Sequence, residues 1–66
     1  MKLGELCEIV IEPMQVEPEG YDAFLVDGVS FQQKIHQCST FSFWDIKEIS
    51  SKDRITIKIV EPEYKF

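Results

Sequence analysis

Phe24-Leu25-Val26-Asp27-Gly28-Val29-Ser30-Phe31 carries the sharpest local signal in the chain. An Asp-Gly pair between two apolar runs is the composition of a type I′ hairpin turn, whose two central residues take positive φ, freely for Gly and tolerably for Asp. Pairing outward from that turn sets Val26 opposite Val29 and Phe24 opposite Phe31, with all four side chains on one face. The stretch predicts a β-hairpin with arms 21–26 and 29–36, and that hairpin is the expected seed of the core. In its second arm Val29, Phe31, Gln33 and Ile35 share a face, a half-buried alternation broken only at Gln33.

The flanking segments read as further short strands. Residues 3–12 alternate, which places Cys7, Ile9 and Ile11 inward until Pro13 ends the ladder. Met14-Gln15-Val16 continues as a bent or edge segment, and Glu17-Pro18-Glu19-Gly20 reads as a turn. Residues 54–60 alternate most cleanly, with Ile55, Ile57 and Ile59 inward, and Glu61-Pro62 stops them. Ser50-Ser51-Lys52-Asp53 is a polar turn, and Glu63-Tyr64-Lys65-Phe66 is a tail. Residues 39–49 support two readings. Thr40 to Phe43 alternates as a strand with a bulge near Phe43 and Trp44, whereas Ser42-Phe43-Trp44-Asp45 followed by Ile46 and Ile49 fits a helix start.

These segments predict an all-β domain spanning residues 1–66. The expected architecture is a five-stranded antiparallel sheet or a partly open SH3- or OB-like barrel, with one short helix near residues 42–49 as the alternative for that segment. A chain of 66 residues buries only about 60% of its unfolded surface, so a homo-oligomer is one expected state.

Charge is distributed unevenly. The net charge is −5, yet residues 1–27 hold seven acids against Lys2 alone, whereas residues 28–66 hold five acids and six bases. An acidic surface repels phosphate backbones and attracts basic patches, so the field argues against nucleic acid and for a protein partner with a basic surface. No apolar run approaches the ~18 residues of a membrane span, and Met1-Lys2-Leu3-Gly4-Glu5 does not resemble a signal peptide. These features point to the cytoplasm, with no membrane partner.

No motif carries a chemistry. Cys7, His36 and Cys38 are the only soft-ligand set. His36 falls on the wet face of its expected strand and Cys7 on the inward face, so the residues are read as structural thiols and a solvated imidazole, with no metal and no cofactor. The three glycines, at 4, 20 and 28, form no phosphate loop, and Glu17 and Glu19 sit in a turn where water keeps carboxyls ordinary. No catalytic residues are assigned, and the chain is read as no enzyme.

The remaining expectation is a small acidic interaction module, a regulator or inhibitor in the manner of phage-encoded ones, binding a basic surface of a larger protein. Phe43 and Trp44 are adjacent and cannot both enter one core, so they are the candidate anchors, with Glu17, Glu19 and Asp22 supplying the field. The alternatives are a single-stranded nucleic-acid-binding barrel, using exposed rings with Lys34, Lys47 and Lys58, and a subunit of a homo-oligomeric assembly.

Overall fold

Leu3, Leu6 and Cys7 follow one another at spacings of three and one, the inward stripe of a helix, whereas a strand would put Leu6 and Cys7 on opposite faces. The computed structural model, which describes residues 1–51 and 53–63, folds Leu3–Ile9 as a helix and so corrects the strand expected over residues 3–12. The chain runs α1 (Leu3–Ile9), β1 (Met14–Pro18), β2 (Phe24–Val26), α2 (Phe31–Cys38), a 3-10 helix (Ser39–Phe43), β3 (Asp45–Ser51) and β4 (Ile55–Val60). Lys52 of the expected polar turn and residues 64–66 of the expected tail lie outside the described residues.

The fold is α+β, and the all-β expectation is corrected. A four-stranded mixed sheet packed with two helices takes the place of the five-stranded antiparallel sheet or SH3/OB-like barrel. The strand order is β2-β1-β4-β3. At its centre β1 and β4 run parallel, from Met14 beside Ile55 to Pro18 beside Ile59. Each central strand carries an antiparallel outer partner, β2 on β1 and β3 on β4. Two hairpin-like pairs are thus joined side by side, and the parallel contact between them requires the long connection through α2.

The predicted turn at Asp27-Gly28 is where the reading fails. β2 ends at Val26 and pairs backward with β1, and the next four residues lead into a helix. Ser30 caps α2: its Oγ accepts the Gln33 N–H at 3.2 Å, and Gln33 Oε1 accepts the N–H groups of Val29 and Ser30 at 2.9 and 3.3 Å. This is a Ser-x-x-Gln capping box, and Gln33 is the residue that broke the alternation. One turn later Gln37 Oε1 accepts the N–H groups of Asp27 and Gly28 at 3.0 and 2.8 Å. Four consecutive backbone donors are therefore satisfied by two glutamines of α2 and leave no ladder for a second hairpin arm. Gly28 is needed here for close approach, because a Cβ on it would stand 2.8 Å from Gln33 Cβ and 2.9 Å from the Lys34 nitrogen.

α1 forms for comparable reasons. The Lys2 N–H donates to Glu5 Oε1 at 3.1 Å at its start, and Val10 takes extended backbone at its end. Lys34, buried on α2, donates its ammonium to the Val10 carbonyl, which brings positive charge to the carboxyl end of a helix that has no basic residue in its own last turn.

Leu3, Leu6 and Cys7 of α1 meet Met14 and Val16 of β1, Val26 of β2, Ile57 and Ile59 of β4, Cys38 of α2 and Trp44 in one core. Ile57 and Ile59 point inward as expected, each burial contributing roughly 1.5–3 kcal/mol. Other expected core residues lie outward: Ile9 in the last turn of α1 is 65% exposed, and Ile11 and Val29 in the segments beside the helices are 89% and 90% exposed. Residues 39–49 divide between the two readings. A 3-10 helix precedes β3, and the bulge falls between Ile46 and Glu48 rather than at Phe43 and Trp44.

Candidate functional site

Pro18, Glu19, Gly20 and Tyr21 form a tight turn closed by the Tyr21 N–H donating to the Pro18 carbonyl at 3.1 Å. Gly20 takes φ +87 at the third position, the one that needs positive φ in a type II turn. The turn is pinned to the sheet, since the Glu19 N–H donates to the Ile59 carbonyl of β4 at 2.9 Å. Chain reversal here gathers the acids of residues 17–22 at one end of the central strand pair.

The result is a groove of about 450 Å³. It is lined by Glu17, Glu19, Tyr21 and Asp22 together with Lys47 and Lys58, Glu17 standing beside Lys58 in the strand register, while Pro18, Ile59 and Val60 contribute apolar lining. Lys47 is the extra residue of the β3 bulge, which explains its place beside Lys58. Two ion pairs are formed among the described residues, Lys58 to Glu48 at 3.6 Å and Lys2 to Asp45 at 2.7 Å. Glu17, Glu19 and Asp22 take part in neither; Glu19 and Asp22 are exposed and Glu17 is half-buried.

Tyr21 ties this groove to the interior. The residue is 64% exposed, yet its ring packs edge-on against Phe41 and Trp44, with centroids 5.6 and 5.7 Å away. Phe41 in turn packs edge-on against Trp44 at 4.7 Å and stacks on Phe24 at 5.5 Å. Aromatic pairs at such distances hold their rings more firmly than area alone would, so the exposed face of Tyr21 is backed by a rigid support.

The sequence-predicted residues separate in this geometry. Glu17, Glu19 and Asp22 come together in the groove. Trp44 is only 7% exposed and lies beneath Tyr21, whereas Phe43 is 46% exposed at the end of the 3-10 helix and does not line the groove. Sequence reasoning missed Tyr21, which reads there as one residue of a hairpin arm. The usable signal was an aromatic residue set between Gly20 and Asp22 directly after an acidic turn. Of the lysines considered for nucleic acid, Lys47 and Lys58 share the groove with three carboxylates, and the Lys34 ammonium is engaged by Val10.

Cys7 and Cys38 meet in the interior with their sulfurs 3.5 Å apart, while His36 lies exposed on α2 facing a shallow depression with Gln32 and Gln37. Burial, then the hydrogen bond and charge of Cys7, push the Cys38 thiol up to about 12. The described residues include no helix long and apolar enough to cross a membrane.

No protein-family model matches the chain, and no curated protein or solved structure resembles it significantly.

Proposed function

We propose that this protein is an acidic interaction module, a regulator or inhibitor rather than an enzyme, that receives a basic segment of a larger protein in the groove beside Tyr21. The observation that carries this reading is the convergence of Glu17, Glu19 and Asp22, without ion-pair partners among the described residues, around an exposed and rigidly backed aromatic ring. A lysine or arginine entering there meets opposite charge, a ring face for cation–π contact and apolar lining for its methylene stem. Lys47 and Lys58 in the same groove favour a segment that also carries an acidic or polar residue. The acidic excess of residues 1–27 steers a basic partner toward this end of the molecule. In this reading Trp44 acts from beneath by holding Tyr21, Phe43 offers an exposed apolar contact, and the setting is cytoplasmic.

The test is fluorescence anisotropy with a labelled peptide rich in arginine and lysine, at low salt, against the chain and against a Glu17→Gln/Glu19→Gln/Asp22→Asn variant. A tenfold or greater weakening in the variant, with affinity falling as salt rises, supports the reading. Equal binding by both proteins contradicts it.

One observation favours a second reading, a homo-oligomer joined through β3. This strand lies at the edge of the sheet, and Ile49, although opposite buried Ile57, is 53% exposed. Met1 and Leu3 occupy the edge only near Trp44 and Ile46, through bonds of 2.9 to 3.0 Å. An open edge with an apolar residue on its covered face is a template for a second copy. Sedimentation of the chain and of Ile49→Lys at several concentrations decides it: a concentration-dependent dimer lost in the variant supports the reading, and a monomer throughout removes it.

A further inference from the structure

Cys7 and Cys38 stand 31 positions apart in sequence, on different helices, yet their side chains are each other's buried neighbours, with one sulfur in hydrogen-bond contact with the other at 3.5 Å. Each is essentially inaccessible, and both belong to the central core cluster. Among the described residues no third histidine, cysteine or carboxylate joins them, so the pair's available chemistry is with itself. A disulfide requires the sulfurs to close from this contact to about 2.0 Å.

We infer that Cys7 and Cys38 are an oxidant-responsive modification site, forming a reversible intramolecular disulfide that clamps α1 to α2. The inference goes beyond the binding groove and does not depend on it. With oxidised glutathione as the oxidant, the thiolate of one cysteine attacks a glutathione sulfur, forming a mixed disulfide and releasing one glutathione thiolate. The second cysteine then attacks the protein sulfur of that mixed disulfide, the Cys7–Cys38 bond forms, and a second glutathione leaves. Two cysteine protons end on two glutathione thiols, so the protein is oxidised by two electrons and the glutathione disulfide reduced by two. Burial sets the rate. The reagent needs α1 to open briefly, and a thiol held protonated in the interior attacks slowly, so the reaction is one of prolonged oxidant exposure.

The bond would close a long loop containing β1, β2 and most of α2, the case in which a cross-link restricts the unfolded chain most. The test uses the intact chain under native conditions. It is incubated with oxidised glutathione, then denatured and alkylated with N-ethylmaleimide, and analysed by mass spectrometry and by thermal melting before and after dithiothreitol. The expected product is a monomer lacking two hydrogens and taking up no maleimide, with a melting temperature raised by roughly 10 °C or more and restored by the reductant. Cys7→Ala and Cys38→Ala each abolish the oxidant-dependent shift; should either fail to fold, the wild-type comparison with and without reductant decides alone. Two maleimides taken up after oxidation, persistent glutathione adducts, intermolecular dimers or a lowered melting temperature would each overturn the inference.

Discussion

Gln37 closes on Asp27 from both sides of its amide: Nε2 donates to Asp27 Oδ1 at 2.7 Å, while Oε1 accepts the Asp27 backbone N–H at 3.0 Å. The same oxygen holds the Gly28 N–H, and this clasp fixes the chain as it passes from β2 into α2. Gln37→Ala should therefore destabilise the fold by about 1 kcal/mol, modest because the site is exposed. Gly28→Ala should cost more, about 2 kcal/mol, because the added methyl meets backbone and Cβ atoms of α2 that cannot swing away. Urea denaturation of the two variants checks both the magnitudes and their order.

Backbone strain should be relieved at Ser39. This residue ends α2 and begins the 3-10 helix with φ 53 and ψ −130, a conformation that glycine takes without penalty and other residues resist. Ser39→Gly is expected to stabilise the protein by about 0.5–1 kcal/mol, with the relief of strain exceeding the added flexibility of the unfolded chain. A lowered midpoint in the same denaturation experiment would show that the strain is absent.

Part of this architecture was legible from residues alone. The strand of Ile55, Ile57 and Ile59 was clear because β-branched residues alternate there with polar ones and no helical spacing competes. The acidic turn was clear too, since Pro18 and Gly20 allow few alternatives; the observed turn begins at Pro18. The two helices were not, for a physical reason. Seven or eight residues are short enough that one inward stripe, such as Lys34, Ile35 and Cys38, coexists with a passable alternation through Val29, Phe31, Gln33 and Ile35. What separates the readings is the cap, and Ser30 with Gln33 outweighs the Asp-Gly turn signal because it satisfies donors that the turn would leave to a second strand. In the candidate site, the acids were visible as charge, but the support of Tyr21 by Trp44 links positions 23 residues apart and depends on the fold.

That support has a measurable signature. Trp44→Ala should destabilise the chain by about 3–5 kcal/mol, since it empties a core position and removes the packing under Tyr21 and Phe41. Phe43→Ala should change stability by about 0.5 kcal/mol or less, because nearly half of its surface already meets water. Thermal melts of the two variants, with the intrinsic fluorescence of Trp44 reporting a dry environment in the wild type, distinguish the neighbours. Similar losses in both would contradict the assignment.

Alkaline pH should weaken the fold through Cys38. Below about pH 9 the thiol is protonated whether the chain is folded or not; between its ordinary value of 9.0 and about 12 the unfolded chain releases the proton while the folded chain keeps it. The unfolded state then binds fewer protons, so stability falls as pH rises through that window. The wild type should lose melting temperature above pH 9 more steeply than Cys38→Ala. The disulfide-bonded form, which has no thiol to ionise, should follow the variant. Parallel slopes for all three would remove the argument.

The proposal that the acidic groove receives a basic segment is tested most directly by nitrogen-15 NMR titration of the chain with an arginine- and lysine-rich peptide. Binding in the groove should move the amide resonances of Glu17, residues 19–23, Lys47 and residues 58–60 together, saturably and at one affinity, leaving α2 unmoved. Shifts confined to α2, or none at peptide concentrations well above those that saturate anisotropy, would contradict it.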